Sequence, residues 1–282
     1  MNLPLSHAPA LPPMGLPLLL RALCKRAAAG APALAASGAS FRIDGIDPAH
    51  VRRYNAAFGF PGEAIPPTFL YLLAQRAQLA SLLALPIPFR IPGLIHLDNT
   101  LAVHGAPRCD APLVLTTTLA LPPPAANGAV QCVLRTEAFD GARLAFSCAS
   151  TYLIRRGARG SGAGASPAAV PAGPPLATWA LGADAGRRYA ALSGDWNPIH
   201  LWPWSARLMG MRVPIIHGME TVARACAQLQ RAHPGRIASV ACRFRNPVPL
   251  GASAALFEGA GPDRFIVACN GRVAVDGVLG YA

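Results

Sequence analysis

A pattern that occurs twice most constrains the fold of this chain: one long helix followed by several short strands. In the first half, residues 68–83 repeat apolar side chains with the period of a helix. In the second half, Met219, Val222 and Cys226 recur at helical spacing in a segment running from residue 217 to about 231. Short apolar runs between turn residues then predict strands. The predicted strands are 113–121, 129–136 and 143–153 in the first half, and 238–245, 252–258, 264–269 and 272–279 in the second.

A helix followed by antiparallel strands, given twice, indicates an α+β protein with two similar domains, and not alternating βαβ units. A sheet wrapped around each helix would bury the apolar stripe of that helix. Residues 155–176 are rich in Gly, Ala, Ser and Pro, which is a linker composition. The predicted parts are an N-terminal extension that packs on the first domain or trails from it, 1–40; a first domain, 41–154; the linker, 155–176; and a second domain, 177–282.

The formal net charge of +12 attracts anionic ligands but lacks the pattern of a nucleic-acid-binding protein. Lys25 is the single lysine, and the arginines are scattered in ones and twos without a basic stripe. The chain is 52% hydrophobic and 13% charged, which argues against a disordered protein. We therefore expect a folded protein that does not bind nucleic acid, while phosphorylated ligands and acidic carrier proteins stay open.

The cysteines and the hydropathy pattern indicate a cytoplasmic protein. The seven cysteines are odd in number and never form a CxxC pair, so we predict neither a disulfide framework nor a structural metal site. No run reaches the roughly 18 to 20 apolar residues that span a bilayer. The apolar stretch 15–24 is interrupted by Pro17 and Arg21 and lacks a preceding basic region, so we expect no secretory signal and no membrane insertion.

The segment Tyr189-Ala-Ala-Leu-Ser-Gly-Asp-Trp-Asn-Pro-Ile-His200 carries the clearest chemistry. It places the Asp195 carboxylate five residues before the His200 imidazole, and Pro198 between them favours a turn and a short helix. Both side chains can then converge on one pocket. Asn197 can hold a ligand or fix the loop, because its amide both donates and accepts hydrogen bonds. The alternative is a polar turn in which His200 caps the next helix.

This segment resembles, at every defining position, the signature of the hydratase 2, or MaoC-like, family, including a small residue, Ala206, six positions after His200. The segment Pro214-Ile-Ile-His-Gly-Met219 is similar to the start of that family's central helix, and Phe244-Arg-Asn-Pro-Val248 to its next strand. The first half resembles bacterial double-hotdog 3-hydroxyacyl-thioester dehydratases more loosely. The residues that carry this second resemblance are 65–69, 88–89, 93–99 and His104, so that the two together cover about 41–282.

The resemblance implies a double hotdog, in which two long central helices are each wrapped by a curved antiparallel sheet. Two such domains in one chain form a pseudo-dimer, so monomer and homodimer are both compatible with it. The first half departs from the catalytic pattern, because Asp47 and His50 stand where the full motif is expected. The resemblance therefore implies one catalytic site, in the second half, with the first half lining the acyl tunnel.

The reaction implied is reversible addition of water across a trans-2-enoyl thioester, giving the (R)-3-hydroxyacyl thioester. The acyl group is carried on CoA or on the phosphopantetheine of an acyl carrier protein, and no further cofactor and no metal are implied. Asp195 and His200 jointly act as general acid and base, and Asn197 completes the catalytic set. The backbone N–H of Gly218, at the start of the central helix, donates to the thioester oxygen.

Further residues are candidates for contacting the substrate. Arg245 is the candidate for the carrier phosphates and Arg243 is the second; otherwise they are solvated strand arginines. His217 either packs at the start of the helix or contacts the substrate. Trp202 and Trp204 are predicted to pack in the core in preference to stacking on adenine.

Three other functions stay open at this point. They are a hotdog acyl-CoA thioesterase, a lyase for branched or dicarboxylic acyl-CoA, and a non-catalytic acyl-thioester-binding protein. The complete Asp–Asn–His motif favours water addition over thioester cleavage. The chain contains no GxSxG nucleophile elbow and no Walker A loop, so serine-hydrolase and nucleotide-hydrolase chemistry have no support.

Overall fold

The computed structural model describes residues 8–28, 37–155, 169–259 and 261–282, and the chain separates into two compact units. Unit 1 comprises Met1–Val51 and Phe69–Gly162, and unit 2 comprises Arg52–Thr68 and Ala163–Ala282. A segment of the first half, residues 52–68, is therefore grouped with unit 2. Most of the predicted linker, 156–168, lies outside the described residues, as do 1–7 and 29–36 of the predicted extension.

Unit 1 is built from one long helix and a five-stranded antiparallel sheet. The strands follow the order β1-β3-β4-β5-β2 across this sheet. The long helix α3 packs against it, since Leu82 clusters with Leu119 and Leu134 in the core. The elements of the first half are α1 Leu16–Cys24, β1 Ser37–Ile43, α2 Pro48–Phe58, α3 Pro67–Ala84, β2 Ile95–Val103, β3 Leu113–Ala120, β4 Val130–Asp140 and β5 Arg143–Arg155. Most of α2 and the first two residues of α3 are grouped with unit 2.

Unit 2 repeats the arrangement of unit 1. Its strands follow the order β6-β8-β9-β10-β7, so in both units the first, third, fourth, fifth and second strands are neighbours. The long helix α6 packs against β7, β9 and β10. The elements are β6 Ala177–Ala180, α4 Ala185–Ser193, a 3₁₀ helix Pro198–His200, α5 Pro203–Leu208, α6 Gly218–Ala232, β7 Ile237–Phe244, β8 Ser253–Gly259, β9 Gly261–Cys269 and β10 Arg272–Tyr281.

The predicted α+β class and double-hotdog architecture are confirmed, because each unit has one long helix and one antiparallel sheet. The predicted helices at 68–83 and 217–231 agree with α3 and α6 to within one or two residues. The sequence pattern did not predict the shorter helices α2 and α4, which precede the long helices. Apolar periodicity does not predict helix α4, because the helix is short and its first turn contains Gly186, Arg187 and Arg188.

The described part of the N-terminal extension packs against unit 1. The guanidinium of Arg76 donates to the carbonyl oxygens of Leu11 and Pro12, at 2.5 Å each. The Lys25 ammonium donates to the carbonyl oxygens of Leu83 and Leu85, at 2.7 and 2.6 Å. These two carbonyls lie at the C-terminal end of α3, where helix carbonyls lack partners within the helix. Of the two alternatives, packed or trailing, the described residues show the packed one.

Five of the seven cysteines are buried in the two units, in keeping with a packing role. Cys226 on α6 is one of them, and burial raises the pKa of its thiol to about 12. The thiol is therefore neutral near pH 7 and is a poor nucleophile. Within the described residues, no helix combines the length and the hydropathy that crossing a membrane requires.

Candidate functional site

The end of helix α4 positions the Asp195 carboxylate. Gly194 closes the helix in the left-handed conformation, at φ 76°, which turns the chain sharply without a side-chain clash. The Ser193 hydroxyl donates to the carbonyl oxygen of Tyr189 at 2.8 Å and accepts from the N–H of Asp195 at 3.1 Å. The carboxylate in turn accepts from the N–H of Asn197 at 3.1 Å. The loop is thus held at both sides of the aspartate.

Asn197 fixes the loop that presents His200. Its side-chain oxygen accepts from the N–H of Ile199 at 3.3 Å, so Asn197 is the N-cap of the 3₁₀ helix. Pro198 occupies the first position of this helix, where its missing N–H costs nothing. The predicted turn and short helix are therefore present, and His200 ends the turn. Asn197 was predicted either to hold a ligand or to fix the loop, and its side-chain oxygen fixes the loop.

The hydrogen bonds of His200 define which ring nitrogen carries the proton. Its Nδ1 lies 2.8 Å from the carbonyl oxygen of Ile215. A carbonyl only accepts, so in the neutral ring Nδ1 carries the proton and Nε2 keeps the lone pair. Burial lowers the pKa of His200, against smaller opposing effects of Asp195 and the Ile215 carbonyl. A neutral imidazole with a basic Nε2 is the form that accepts a proton.

His217, the N-cap residue of α6, is a third member of the site. It is 3% exposed, and its ring stacks on that of His200 with centroids 3.7 Å apart. Its Nε2 lies 2.9 Å from the carbonyl oxygen of Asp195 and therefore donates to it. Burial, and secondly the neighbouring His200, lower the pKa of His217 well below its usual range, although Asp195 opposes this. Its Nδ1 is buried and accepts from none of the described residues.

The carboxylate of Asp195 and the imidazoles of His200 and His217 converge, with one atom of each within 4.8 Å of the others. Such a group is also the kind that could hold a metal ion. The two rings are stacked at 29°, however, and a histidine binds metal in the plane of its ring. Nearly parallel planes do not direct two lone pairs to one nearby point. The arrangement therefore suits proton transfer better than two-histidine metal ligation.

Gly218 begins α6 and presents its backbone beside these side chains. A Cβ at this position would lie 2.5 Å from the Phe244 ring, so the close approach of the ring requires glycine. The N–H of Gly218 donates to none of the described residues. It belongs to the first turn, where helix amides are unpaired and the helix dipole is positive. This amide can bind an oxyanion.

A layer of buried polar groups supports the site from behind. The Tyr189 ring lies 4.8 Å from that of His217 and 6.1 Å from that of Phe58, and burial raises the pKa of its hydroxyl. Glu220 is 2% exposed and bonds to Arg224 at 2.5 Å; burial raises its pKa in spite of that arginine. Sequence reasoning missed this layer, and for Tyr189 the aromatic position of the motif was the available signal.

The other predicted contact residues lie on β7 or directly after it, or in the segment that follows His200. Arg245 lies one residue beyond β7, and its guanidinium binds both carboxylate oxygens of Asp276, at 2.6 and 3.3 Å. Arg243 is exposed and faces Asp276 across the β7–β10 ladder. Phosphate binding by either arginine stays a prediction. The core packing predicted for Trp202 and Trp204 is wrong, because these side chains are 39% and 63% exposed.

The first half of the chain contains no second copy of the cluster at the corresponding place. Asp47 accepts from the N–H of Ala49 at 2.8 Å, which caps α2, and His50 packs on the Phe69 ring. By element order, the counterpart of the motif lies between α2 and α3, at residues 59–66, and not at Asp47 to His50. That segment contains neither histidine nor aspartate, and Glu63 is its single acid.

Known proteins resemble this chain along most of its length. Residues 172–257 match the sequence profile of the MaoC like domain. The 3-hydroxyacyl-thioester dehydratase X of Mycobacterium tuberculosis is 30% identical over 226 residues, which cover 77% of this chain and 78% of that protein. The mitochondrial 3-hydroxyacyl-[acyl-carrier-protein] dehydratase of Arabidopsis thaliana is 40% identical over 67 residues, 23% of this chain and 40% of that protein. A crystal structure of HtdX from M. tuberculosis aligns with a TM-score of 0.72 and 26% identity, covering 86% of this chain and 99% of that one.

Proposed function

Because this chain belongs to the MaoC-like dehydratase family, we propose that it catalyses the reversible hydration of trans-2-enoyl thioesters to (R)-3-hydroxyacyl thioesters. The observation that carries the proposal is the convergence of Asp195 and His200 in one cluster, in which the neutral ring of His200 keeps a lone pair on Nε2. The carrier of the acyl group is CoA or an acyl carrier protein.

The reaction moves two protons, and the cluster supplies a group for each. In dehydration, a proton leaves the carbon beside the thioester carbonyl, and the departing hydroxide takes up another to leave as water. The lone pair on Nε2 of His200 can accept one proton. Asp195 lies close enough to His200 for both groups to reach the water that leaves in dehydration or adds in hydration. We assign the acid and base roles to the pair jointly, because coupled groups share their titration.

Charge that builds up on the thioester oxygen needs a donor that is already in place. The N–H of Gly218 is such a donor, since it belongs to the first turn of α6 and lacks a partner among the described residues. Asn197 acts through the loop, because its side chain caps the turn that ends in His200. His217 orients the loop from the other side, by donating to the carbonyl of Asp195.

The experiment that tests this function follows the ultraviolet absorbance of a short enoyl-CoA, with free thiol measured in parallel. We expect the conjugated chromophore to disappear without release of thiol. Asp195→Asn and His200→Ala should each lower kcat by about 10² to 10⁴-fold, the usual contribution of a general acid or base. The control is His233→Ala, since this histidine lies beyond the C-terminus of α6 and bonds to Glu258.

Each of the other outcomes would indicate a different function or mechanism. Release of thiol would make the protein a thioesterase, and binding without either change would make it a non-catalytic thioester-binding protein. A variant at Asp195 or His200 that keeps more than about a tenth of the activity would exclude the shared acid and base mechanism. Melting curves of the variants should stay close to that of the parent protein, so that loss of activity is not loss of fold.

A further inference from the structure

Two tryptophans, Trp202 and Trp204, lie exposed directly after the segment that carries His200. Their rings are stacked, with centroids 6.0 Å apart and 13° between the ring planes. Of the seven large hydrophobic side chains exposed in the described residues, four lie between 202 and 213. Large aromatic side chains are normally buried, so such a group left in water marks a surface with a binding role.

The tryptophan pair is held in place by bonds to the loop of the active site. The Ser205 hydroxyl donates to the carbonyl oxygen of Pro198 at 2.6 Å and accepts from the N–H of Trp202 at 3.3 Å. The guanidinium of Arg187 donates to the carbonyl oxygen of Leu201 at 2.9 Å and lies 5.9 Å from the centre of the Trp202 ring. A rigid aromatic platform loses little entropy when a ligand stacks on it.

The segment that contains the platform carries arginines and no carboxylate side chain. The sequence contains no acidic residue between Asp195 and Glu220. Arg207 and Arg212, within that stretch, are exposed and form no ion pair with any described residue. Arg245, by contrast, is held by a carboxylate. A platform for planar rings, with exposed guanidinium groups in the same segment, matches a ligand that combines a base with phosphates.

We propose that Trp202 and Trp204, together with Arg207 and Arg212, bind the adenine nucleotide end of a coenzyme A thioester. The adenine stacks on the exposed tryptophan face, and the arginines contact the phosphates. Trp204 follows His200 by four residues, so their Cα atoms are at most about 15 Å apart, within reach of a flexible pantetheine arm. The assignment rests on the proposed function, and it selects CoA over a carrier protein, whose phosphopantetheine lacks adenine.

The experiment compares one enoyl group on two carriers, coenzyme A and pantetheine, which has no nucleotide. In the full-length protein, Trp204→Ala should raise KM for the CoA thioester by about tenfold, in line with the loss of one base–aromatic stack. KM for the pantetheine thioester should stay within about twofold, and kcat should change little for either, because a remote contact contributes uniform binding.

The control variants separate stacking, charge and general surface effects. Leu176→Ala removes another exposed apolar side chain of unit 2, 42% exposed, and should leave both KM values unchanged. The double variant Arg207→Ala, Arg212→Ala should raise KM for the CoA thioester, less so at high salt. Arg245→Ala, made in parallel, tests the other phosphate candidate, whose guanidinium binds Asp276.

A direct binding measurement keeps the test independent of catalysis. Adenosine 3′,5′-bisphosphate should quench the tryptophan fluorescence of the parent protein and bind Trp204→Ala at least about fivefold more weakly. If neither thioester is turned over but this binding is observed, the proposed reaction fails while the nucleotide site stands. If both thioesters are turned over with equal KM and the bisphosphate does not bind, the site fails while the reaction stands.

Other occupants of the platform would give recognisably different results. An effect of Trp204→Ala on an acyl-carrier-protein thioester alone would assign the platform to a carrier protein. Trp204-dependent partition into phosphatidylglycerol vesicles, with no change in KM, would assign it to a lipid surface. A rise in KM for Arg245→Ala, without one for the Arg207 and Arg212 variant, would move the phosphate contact to β7. Each of these outcomes overturns the proposal.

Discussion

Gly186 approaches the backbone of His200 so closely that a Cβ on this glycine would lie 1.9 Å from the carbonyl oxygen of His200. The same Cβ would lie 3.0 Å from the carbonyl carbon. Both atoms belong to backbone, which cannot rotate aside as a side chain can. The first turn of α4 therefore supports the residue that holds the basic nitrogen, and the absence of a side chain at position 186 is part of the site.

Gly186→Ala should displace His200 and lower kcat more than it raises KM. We expect a loss of about 10- to 100-fold in kcat, since a displacement of about 1 Å can cost 10²-fold in rate. The matched control is Ala191→Gly, which changes an exposed position of the same helix and costs at most about 1 kcal/mol of stability. Unchanged kcat in a folded Gly186→Ala protein would show that the loop tolerates the shift.

The unfolding free energy should depend on pH through the buried histidines. Burial lowers the pKa of His217 and of His200, so the folded state holds them neutral where the unfolded state binds protons. Their contribution is complete above about pH 6.5 and is lost as the pH falls from there towards the lowered folded values. In that range each histidine lowers the free energy of unfolding by about 1 kcal/mol for every unit by which the pH falls.

Denaturant titrations between pH 7.5 and 5 of the parent protein and of His217→Gln would measure this slope. We expect a shallower slope for the variant, although its stability at any single pH is also lower. Glu220 has a raised pKa and acts with the opposite sign, since its folded state takes up a proton more readily. It is present in both proteins, so the difference between their slopes reports His217 together with its effect on His200. Equal slopes would mean that His217 titrates normally.

The loop that carries Asp195 and His200 was predictable from sequence because its interactions are local. Asp195, Pro198 and His200 lie within six consecutive residues, and capping and turn preferences act over that distance. The long helices were predictable for the same reason, through their periodicity. His217 was left undecided, since its stacking on His200 depends on the fold of the loop between them.

The errors concern positions where tertiary contacts override the sequence pattern. Trp202 and Trp204 were expected in the core because large aromatic residues are usually buried, yet both are exposed. The grouping of residues 52–68 with unit 2 could not be read from the chain either. Segment 52–68 precedes the predicted linker, and nothing in its composition shows which sheet and helix it packs against.

Phe58 should be essential to the stability of unit 2 although it lies in the first half of the sequence. It is 8% exposed, its ring lies 6.1 Å from that of Tyr189, and the Arg224 guanidinium lies 5.8 Å from its ring centre. Phe58→Ala should lower the unfolding free energy by about 3 to 5 kcal/mol, as large-to-small changes in cores do. Leu20→Ala, at an exposed position of unit 1, is the control. A loss below about 1 kcal/mol would contradict the packing role.

The chain should carry one catalytic site, because the first half lacks the carboxylate–imidazole pair at the place that corresponds to the motif. The segment between α2 and α3 offers Glu63 alone, and it is exposed. Glu63→Gln and His50→Ala should therefore each leave kcat within about threefold, since neither group has an acid or base role to lose. Titration of the parent protein with a tight, non-reactive enoyl-thioester analogue should give one equivalent of bound analogue per chain. Two equivalents, or a large loss of kcat at Glu63 or His50 in a folded protein, would establish a second site in the first half of the chain.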